Sequence, residues 1–313
     1  MTDHRLGDED SNVHHDWSPD RDPVLTIAPG ETVRFDCRDA LDGQLDTDST
    51  VEDLASMIWR GHPLTGPVAV EDAEPGDVLQ VDLLNFEHYG HGFTYFYGGS
   101  AGKGLLPEDF EDPGLHVWEI EDGVAEFVDG IKVPIDPFPG CIGVAPGESG
   151  THETTPPRRV GGNLDVKHLT AGSTLYLPIE ADGALFSIGD CHAAQGDGEV
   201  CVTGIEAPMS VTARLNVRSD MEIQQPRFKT EGPFTPSGSD EPTYGTTGID
   251  SDLMTATKKA IRHMIDHLHT DRGISRAEAY ILCSAAIDLK ISEVVDGPNW
   301  VVSAYVALSL FPD

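Results

Sequence analysis

A chain of 313 residues with 54 acidic and 20 basic side chains carries a formal charge of -34, and 39% of its residues are apolar. That length can bury a full core, and periodic apolar segments set the chain apart from disordered acidic sequences. Such a charge repels phosphate backbones and anionic headgroups, which argues against nucleic-acid and membrane partners.

The acidic residues are scattered rather than blocked. We read them as adaptation to molar salt, where the screening length falls to about 3 Å; an acidic protein of ordinary salt is the alternative. Gly and Pro (33 and 22 residues) suit many short strands joined by turns. The five cysteines, Cys37, Cys141, Cys191, Cys201 and Cys283, form no C-x-x-C pair, and the polar start has no mark of an export signal. No apolar run approaches the ~20 residues of a membrane span. Reduced thiols and a cytoplasmic location are the expectation.

In chain order, residues 1–13 read as a flexible polar start and 14–313 as the working domain. A strand-rich region over 14–245 is expected to pack intimately on an α+β section over 246–313. A Gly turn launching an alternating run recurs three times, as Pro29-Gly30-Glu31 before TVRFDC, Pro75-Gly76-Asp77 before VLQVDLL, and Ala171-Gly172-Ser173 before TLYLPIE. Period-two apolarity after a turn marks a half-buried strand. Residues 124–135 predict a hairpin about Asp129-Gly130, whereas 138–162, rich in Gly and Pro, read as long ordered loops. LFSI and VCVTGI predict two strands flanking a loop. Asp250 or Ser251 caps a helix whose apolar face is Leu253, Thr257, Ala260, Ile261, Met264 and Leu268. Gly273 stops it, Ser275 with Glu278 forms a capping box for a second helix through Ile287, and a strand from Trp300 follows. The fold class is mainly β, with sandwich- or barrel-like sheets and a smaller α+β section holding two C-terminal helices.

Two stretches carry chemistry. In GDCHAAQGDGEVCVTGIE, residues 189–206, a strand reaching His192 puts Asp190 and His192 on one face and Cys191 on the other. Asp197 and Glu199 share a face after the Gly196 turn, so four polar groups converge. Carboxylate and imidazole at that separation suit a zinc-like cation; a solvated acidic hairpin explains the same residues equally well. Cys191 reads as a core thiol. In the second stretch, Gly161-Gly162 admits close backbone approach, with Asn163 and Asp165 facing one pocket; a plain turn is the competing reading. His14, His15, His62, His88 and His91 are weaker candidates, the last two beside an aromatic run, FTYFY, that could wall a pocket. His263, His267 and His269 read as surface residues of the helix. GGSAGKG, residues 98–104, fails as a phosphate loop because no Ser or Thr follows the lysine. No G-x-S-x-G elbow is present.

These segments, in their order and spacing, resemble the acetamidase/formamidase family. The match runs through PVLTIAPGETV (23–33), GHPLTGPVAVEDAEPGD (61–77), GCIGVAP (140–146), GGNLD (161–165), LPI (177–179), GDCHAAQGDGE (189–199), TGIE (203–206) and DLKISEVVDGPN (288–299). The resemblance implies hydrolysis of small carboxamides such as formamide or acetamide, a mainly β fold, a divalent metal (zinc foremost) and a homo-oligomer, often a dimer. It carries the family's polar signature onto Asn163, Asp165, Asp190, His192, Gln195, Asp197 and Glu199. On that basis Asp165, Asp190 and His192 are the expected metal ligands, and Glu199 with Asp197 the catalytic carboxylates. Asn163 and Gln195, with His62 as a weaker member, are expected to bind substrate. Hydrolysis of cyclic or larger amides, and a non-catalytic metal- or small-molecule-binding β protein, stand as alternatives.

Overall fold

The computed structural model describes residues 2–230, 242–295 and 297–312; Met1 of the polar start and Asp296 of the 288–299 motif lie outside them. The protein is mainly β, with two helices near the C-terminus. One six-stranded sheet runs His4–Leu6, Thr32–Cys37, Met209–Arg218, Val78–His88, Thr174–Pro178 and Arg227–Lys229 in spatial order. All three strands launched by the repeated Gly turns sit in this sheet. In Thr32–Cys37, Val78–His88 and Met209–Arg218, alternate side chains, among them Phe35, Val81, Leu83 and Val211, are fully buried, as period two requires of a sheet with one core face.

A second sheet orders Gly161–Asn163, Phe138–Gly143, Phe186–His192, Leu64–Val70 and Val13–His14, with Leu25–Ile27 added in parallel to Leu64–Val70. Its three central strands are buried at every residue, because both faces are covered. Phe35 of the first sheet meets Phe186 of the second edge-on, with ring centroids 5.6 Å apart. Strands Lys132–Pro134, Val124–Glu126, Gly114–Glu121 and His91–Phe96 form a four-stranded meander, with the hairpin about Asp129-Gly130 as expected. It joins the second sheet through one residue: the Glu206 backbone bridges Phe93 on one side and His192 on the other.

The helices are α1, Leu253–Arg272, and α2, Arg276–Ala286. Asp252 caps α1, its side chain accepting from the Thr255 amide, and Gly273 ends it with φ 77°. The cap thus falls beyond Asp250 and Ser251, and the buried stripe includes Ala256 and Ile265 while Leu253 is exposed. The Ser275–Glu278 capping box of α2 forms in both directions. Helix α1 lies on a three-stranded sheet of Thr243–Asp250, Trp300–Ala307 and Asp288–Glu293. One contiguous apolar core runs from Phe35 and Phe186 through Ile261 and Tyr280, so the strand-rich part and the α+β section are packed into one body.

Three expectations need correction. The polar start is not frayed: His4–Leu6 pairs in parallel with Val33–Phe35, Leu6 is buried, and Arg5 Nη2 meets Asp36 at 2.6 Å. Phe138–Gly143, read as loop, is a buried strand between Gly161–Asn163 and Phe186–His192. Residues 200–205, read as a strand, are irregular; α2 satisfies several of their polar groups instead. Ser284 Oγ donates to Thr203 O (2.6 Å) and accepts from Cys201 N (3.1 Å), and the Tyr280 hydroxyl donates to Val200 O. Among the described residues, no helix is long and apolar enough to cross a membrane.

Candidate active site

The strand Phe186–His192 delivers the first two side chains. Asp190 lies in the left-handed region, at φ 53°, a conformation that Asp tolerates better than most residues. The kink switches the strand's faces: Phe186 and Cys191, an odd number of positions apart, both look toward the first sheet, where Cys37 meets Cys191. Asp190 and His192 turn the other way, with His192 Nε2 3.7 Å from Asp190 Oδ1. Phe138 braces the imidazole edge-on at 5.0 Å, and Gly204 leaves the ring room, since a Cβ there would stand 3.2 Å from its Nδ1.

Four further groups converge on this pair. Glu206 Oε2 lies 3.0 Å and Glu199 Oε1 3.8 Å from His192 Nε2. The Gly204 amide donates to Glu206 Oε1 at 2.9 Å and so aims the other oxygen at the ring. His62 Nε2 approaches Asp190 Oδ2 at 3.8 Å, while its Nδ1 meets Thr154 Oγ1 at 3.2 Å, which fixes the ring plane. Asp165 comes in through Gly140: a Cβ at that glycine would lie 2.8 Å from both Asp165 Oδ1 and Asp190 Oδ2. Asp165 and Glu199, like Asp190, have positive φ, at 49° and 44°. Backbone held in sparsely populated regions is costly and concentrates at functional sites.

The cluster is buried and short of partners. Asp165 Oδ1, both ring nitrogens of His192 and Glu206 Oε2 make no hydrogen bond. The 3.0 Å approach of His192 and Glu206 is therefore an ion-pair distance without hydrogen-bond alignment, so these atoms face a common point rather than one another. Burial pushes Asp165 up to about 6, with the charge of His192 opposing it, and raises Glu206 to about 8 against the same imidazole. Burial, then the neighbouring Asp165 charge, lifts Glu199 well above the carboxylate range. Burial also disfavours the charged form of Asp190, but His62 and His192 outweigh it and hold this carboxylate ionised. His192 loses stability as a cation through burial, yet Glu206 and Asp190 raise it above the ordinary imidazole value. Burial lowers His62, against the charge of Asp190.

Three overlapping sets of potential ligands result, each with donor atoms within 4.8 Å: Asp165, Asp190 and His192; His192, Glu199 and Glu206; and His62, Cys141 and Asp190. Carboxylates with imidazole are a donor set that suits divalent zinc or manganese. The unpartnered buried lone pairs, together with more carboxylates than local cations, fit such an ion.

The cluster floors a cavity of ≈ 370 Å³, into which Asn163, Asp190, Glu199, Glu206 and His62 all face. Asn163 Oδ1 accepts from the Cys141 thiol at 3.1 Å. Gln195 stands behind the cavity: its Nε2 donates to Asp165 O at 3.2 Å, which holds the Asp165 turn. Asp197 does not share a face with Glu199. It pairs with Lys167 at 3.2 Å, and Lys167 also pairs with Asp288, away from the cavity lining. His14 is a buried structural residue between Asp16 O (2.7 Å) and Ser187 Oγ (2.9 Å), and His15 pairs with Asp42. His88 and His91 stay outside the cavity, whereas Tyr95 and Tyr97 of the aromatic run line it, as does Lys103 of the glycine-rich loop.

The sequence reading gives no role to Glu206 or Cys141, and reaches Tyr95 only as part of the pocket-walling run FTYFY. Glu206 closes the TGIE motif and Cys141 follows Gly140 in GCIGVAP, so both lie within recognised segments. Their placement depends on a one-residue bridge and on a strand read as loop, neither of which periodicity reveals.

The chain is similar to known amide hydrolases along its whole length. The family model described as Acetamidase/Formamidase family matches residues 2–153 and 147–313. A formamidase of Methylophilus methylotrophus is 26% identical, over 97% of this chain and 90% of its own. An acetamidase of Mycolicibacterium smegmatis is 28% identical over 61% of this chain and 62% of its own. Among solved structures, a gamma lactamase from Delftia acidovorans superposes with a TM-score of 0.88 at 27% identity, covering 99% of this chain and 94% of that one. An acetamidase from Bacillus halodurans gives 0.68 at 31% identity, covering 97% of both chains. The family match spans both the strand that carries Asp190 and His192 and the loop that carries Glu199 and Glu206, and the chain belongs to the acetamidase/formamidase family.

Proposed function

We propose that the protein hydrolyses small carboxamides to the carboxylate and ammonia, using a divalent cation held by Asp165, Asp190 and His192. One observation carries the reading: Asp190, His192 and Glu206, all buried, converge with the half-buried Asp165 and Glu199, polar atoms of Asp165, His192 and Glu206 are left unpartnered, and Asp190, Glu199 and Glu206 face a cavity. A divalent cation bound there supplies Lewis acidity and makes water acidic enough to lose a proton near neutral pH.

The chain's own residues supply the remaining needs of amide hydrolysis. Asn163 has its Oδ1 occupied by the Cys141 thiol, which leaves its amide hydrogens for a substrate oxygen. The Tyr95 phenol is kept protonated by burial and by the negative charge of Glu206, so its hydroxyl hydrogen is available to a substrate oxygen. Glu199 is the proton carrier. Its ionised form, which a cation beside it would favour, takes a proton from the attacking water and returns one to nitrogen as the C–N bond breaks, so that ammonia rather than amide anion departs. Glu206 and His62 flank His192 and Asp190 and set the charge around them. Gln195 maintains the Asp165 turn, and Asp197 braces the loop through Lys167. In this reading neither of the last two meets substrate.

The reading extends to zinc as the cation, a homodimer and a cytoplasmic location, which metal analysis, sedimentation and fractionation test separately. A cyclic-amide substrate has one observation in its favour, the 0.88 superposition on a gamma lactamase; relatives named for linear amides favour formamide-like substrates. The deciding experiment measures ammonia released from formamide, acetamide and propionamide in molar KCl. Release that is lost on chelation and restored by zinc is the expected result. No release from any amide with metal supplied overturns the proposal, and release indifferent to chelation removes the cation from it.

A further inference from the structure

The cavity above the cluster is larger and more apolar than formamide or acetamide needs. Its ≈ 370 Å³ falls within the roughly 300–1,000 Å³ of pockets that take drug-sized molecules. Acetamide, a methyl group on a carboxamide, fills a small part of that space. The floor is polar, and Leu41, Met57, Ile58, Trp59 and Tyr97 line much of the rest, with Lys103 and Gln44 among them.

This wall is both exposed and fixed. Ile58 and Trp59 keep 60% and 47% of their surface open, and large apolar groups left facing water at the rim of a cavity mark a place where something apolar binds. The segment that carries them is held by Gln44. The Gln44 side chain donates from Nε2 to Ile58 O (3.1 Å) and to Leu41 O (2.7 Å), and its Oε1 accepts from Ile58 N (2.8 Å). Behind it, the Tyr97 hydroxyl donates to Leu54 O at 3.0 Å. Trp59 stands edge-on to His62, with ring centroids 4.8 Å apart. A continuous apolar surface therefore leads from solvent to the imidazole that touches Asp190.

Resting on the amidase reading above, the geometry points to carboxamides with a mid-sized apolar acyl group, branched aliphatic or aromatic, as the preferred substrates. The carboxamide reaches the polar floor at Asn163 and Glu199, and the acyl group lies along Met57, Ile58 and Trp59. Formyl and acetyl groups leave the wall unused. Each methylene buried against it contributes about fourfold in kcat/KM, from a transfer free energy of roughly 0.8 kcal/mol.

The test is a substrate series with the full chain in molar KCl and metal supplied, reading kcat/KM from ammonia release for formamide, acetamide, isobutyramide and benzamide. The expected result is a rise across the series, about tenfold or more from acetamide to benzamide. Ile58→Ser and Met57→Ser, at the rim and tolerable to the fold, each lower the benzamide-to-acetamide ratio several-fold. A wild-type ratio below one, with acetamide still hydrolysed, overturns this inference and leaves the amidase reading standing. A ratio unchanged in both variants overturns it as well. Silence with every amide fails the underlying reading instead.

Discussion

Glu199 is the residue on which the chemistry turns. Its carboxyl is deep in the cluster, 3.8 Å from His192, and burial keeps it far readier to hold a proton than a solvated glutamate. Glu199→Gln preserves size and polarity but removes the proton carrier, and should lower kcat by roughly 10²-fold or more while the metal content stays unchanged. Turnover near the wild-type rate would take Glu199 out of the mechanism. His14 illustrates a buried titratable group with a structural task. Burial, then the positive charge of Arg21, lowers its imidazole to about 4, against an ordinary 6.5. Between these values the unfolded chain binds a proton that the folded protein refuses. The His14 contribution is therefore complete above pH 6.5, is lost as pH falls, and levels off below about 4, a change of about 3 kcal/mol. Urea unfolding at pH 7 and pH 4.5 measures it, and His14→Asn should shrink the difference between the two. An equal difference in wild type and variant would locate the acid sensitivity elsewhere.

At the scale of elements, the site is built where strands stop and a helix takes over. The loop 193–207 has few ladder partners, and α2 serves as its scaffold. Gly196 N donates to Ser284 O at 2.8 Å, and a Cβ on Gly196 would lie 2.2 Å from Ile287 O. No flexible side chain can yield there, because the obstacle is backbone. Gly196→Ala should therefore push the helix end from the loop, cost about 1–3 kcal/mol of stability as overpacking does, and depress activity at temperatures where the fold persists. Thermal melts with activity measured below the transition check this, and a variant with normal melting and normal turnover would show the contact to be soft. The same feature explains what the sequence could reveal. Helices with local caps, the Asp129-Gly130 hairpin and the Gly-launched strands announce themselves through neighbours in the chain. Asp190 and His192 share a face by simple period two, even though the real strand kinks between faces at Asp190. Residues 200–205 look like a strand because of their apolar content, but Val200, Cys201 and Thr203 take hydrogen-bond partners from α2, some 80 positions onward. Phe138–Gly143 looks like a loop because of Pro139, Gly140 and Gly143. It is a strand whose glycine at 140 lets two carboxylates close on each other. The cavity wall at Met57–Trp59 joins the site through the Gln44 clasp and the Trp59–His62 ring contact, which no local pattern announces.

For the molecule as a whole, charge is the governing quantity. With 54 acidic groups against 20 basic ones, most surface carboxylates have no cation to face, and some face each other. In the four-stranded sheet Glu119 pairs directly across from Glu126, both exposed; like charges in that position are destabilising. Lys132 meets Glu126 at 3.3 Å and offsets part of this. At 0.1 M salt the screening length of about 10 Å leaves such repulsions largely in force, and near 1 M it falls to about 3 Å. Ion pairs weaken by the same screening, but they are outnumbered, so the net effect of salt should be stabilising. Urea unfolding should give a higher stability in 2 M than in 0.1 M KCl. Glu119→Gln separates charge screening from a general effect of salt on burial: it should stabilise the protein at 0.1 M by a fraction of a kcal/mol and change nothing measurable at 2 M. A gain equal at both salt concentrations would trace the effect to side-chain packing, and a wild-type stability that falls with salt would refute the adaptation outright.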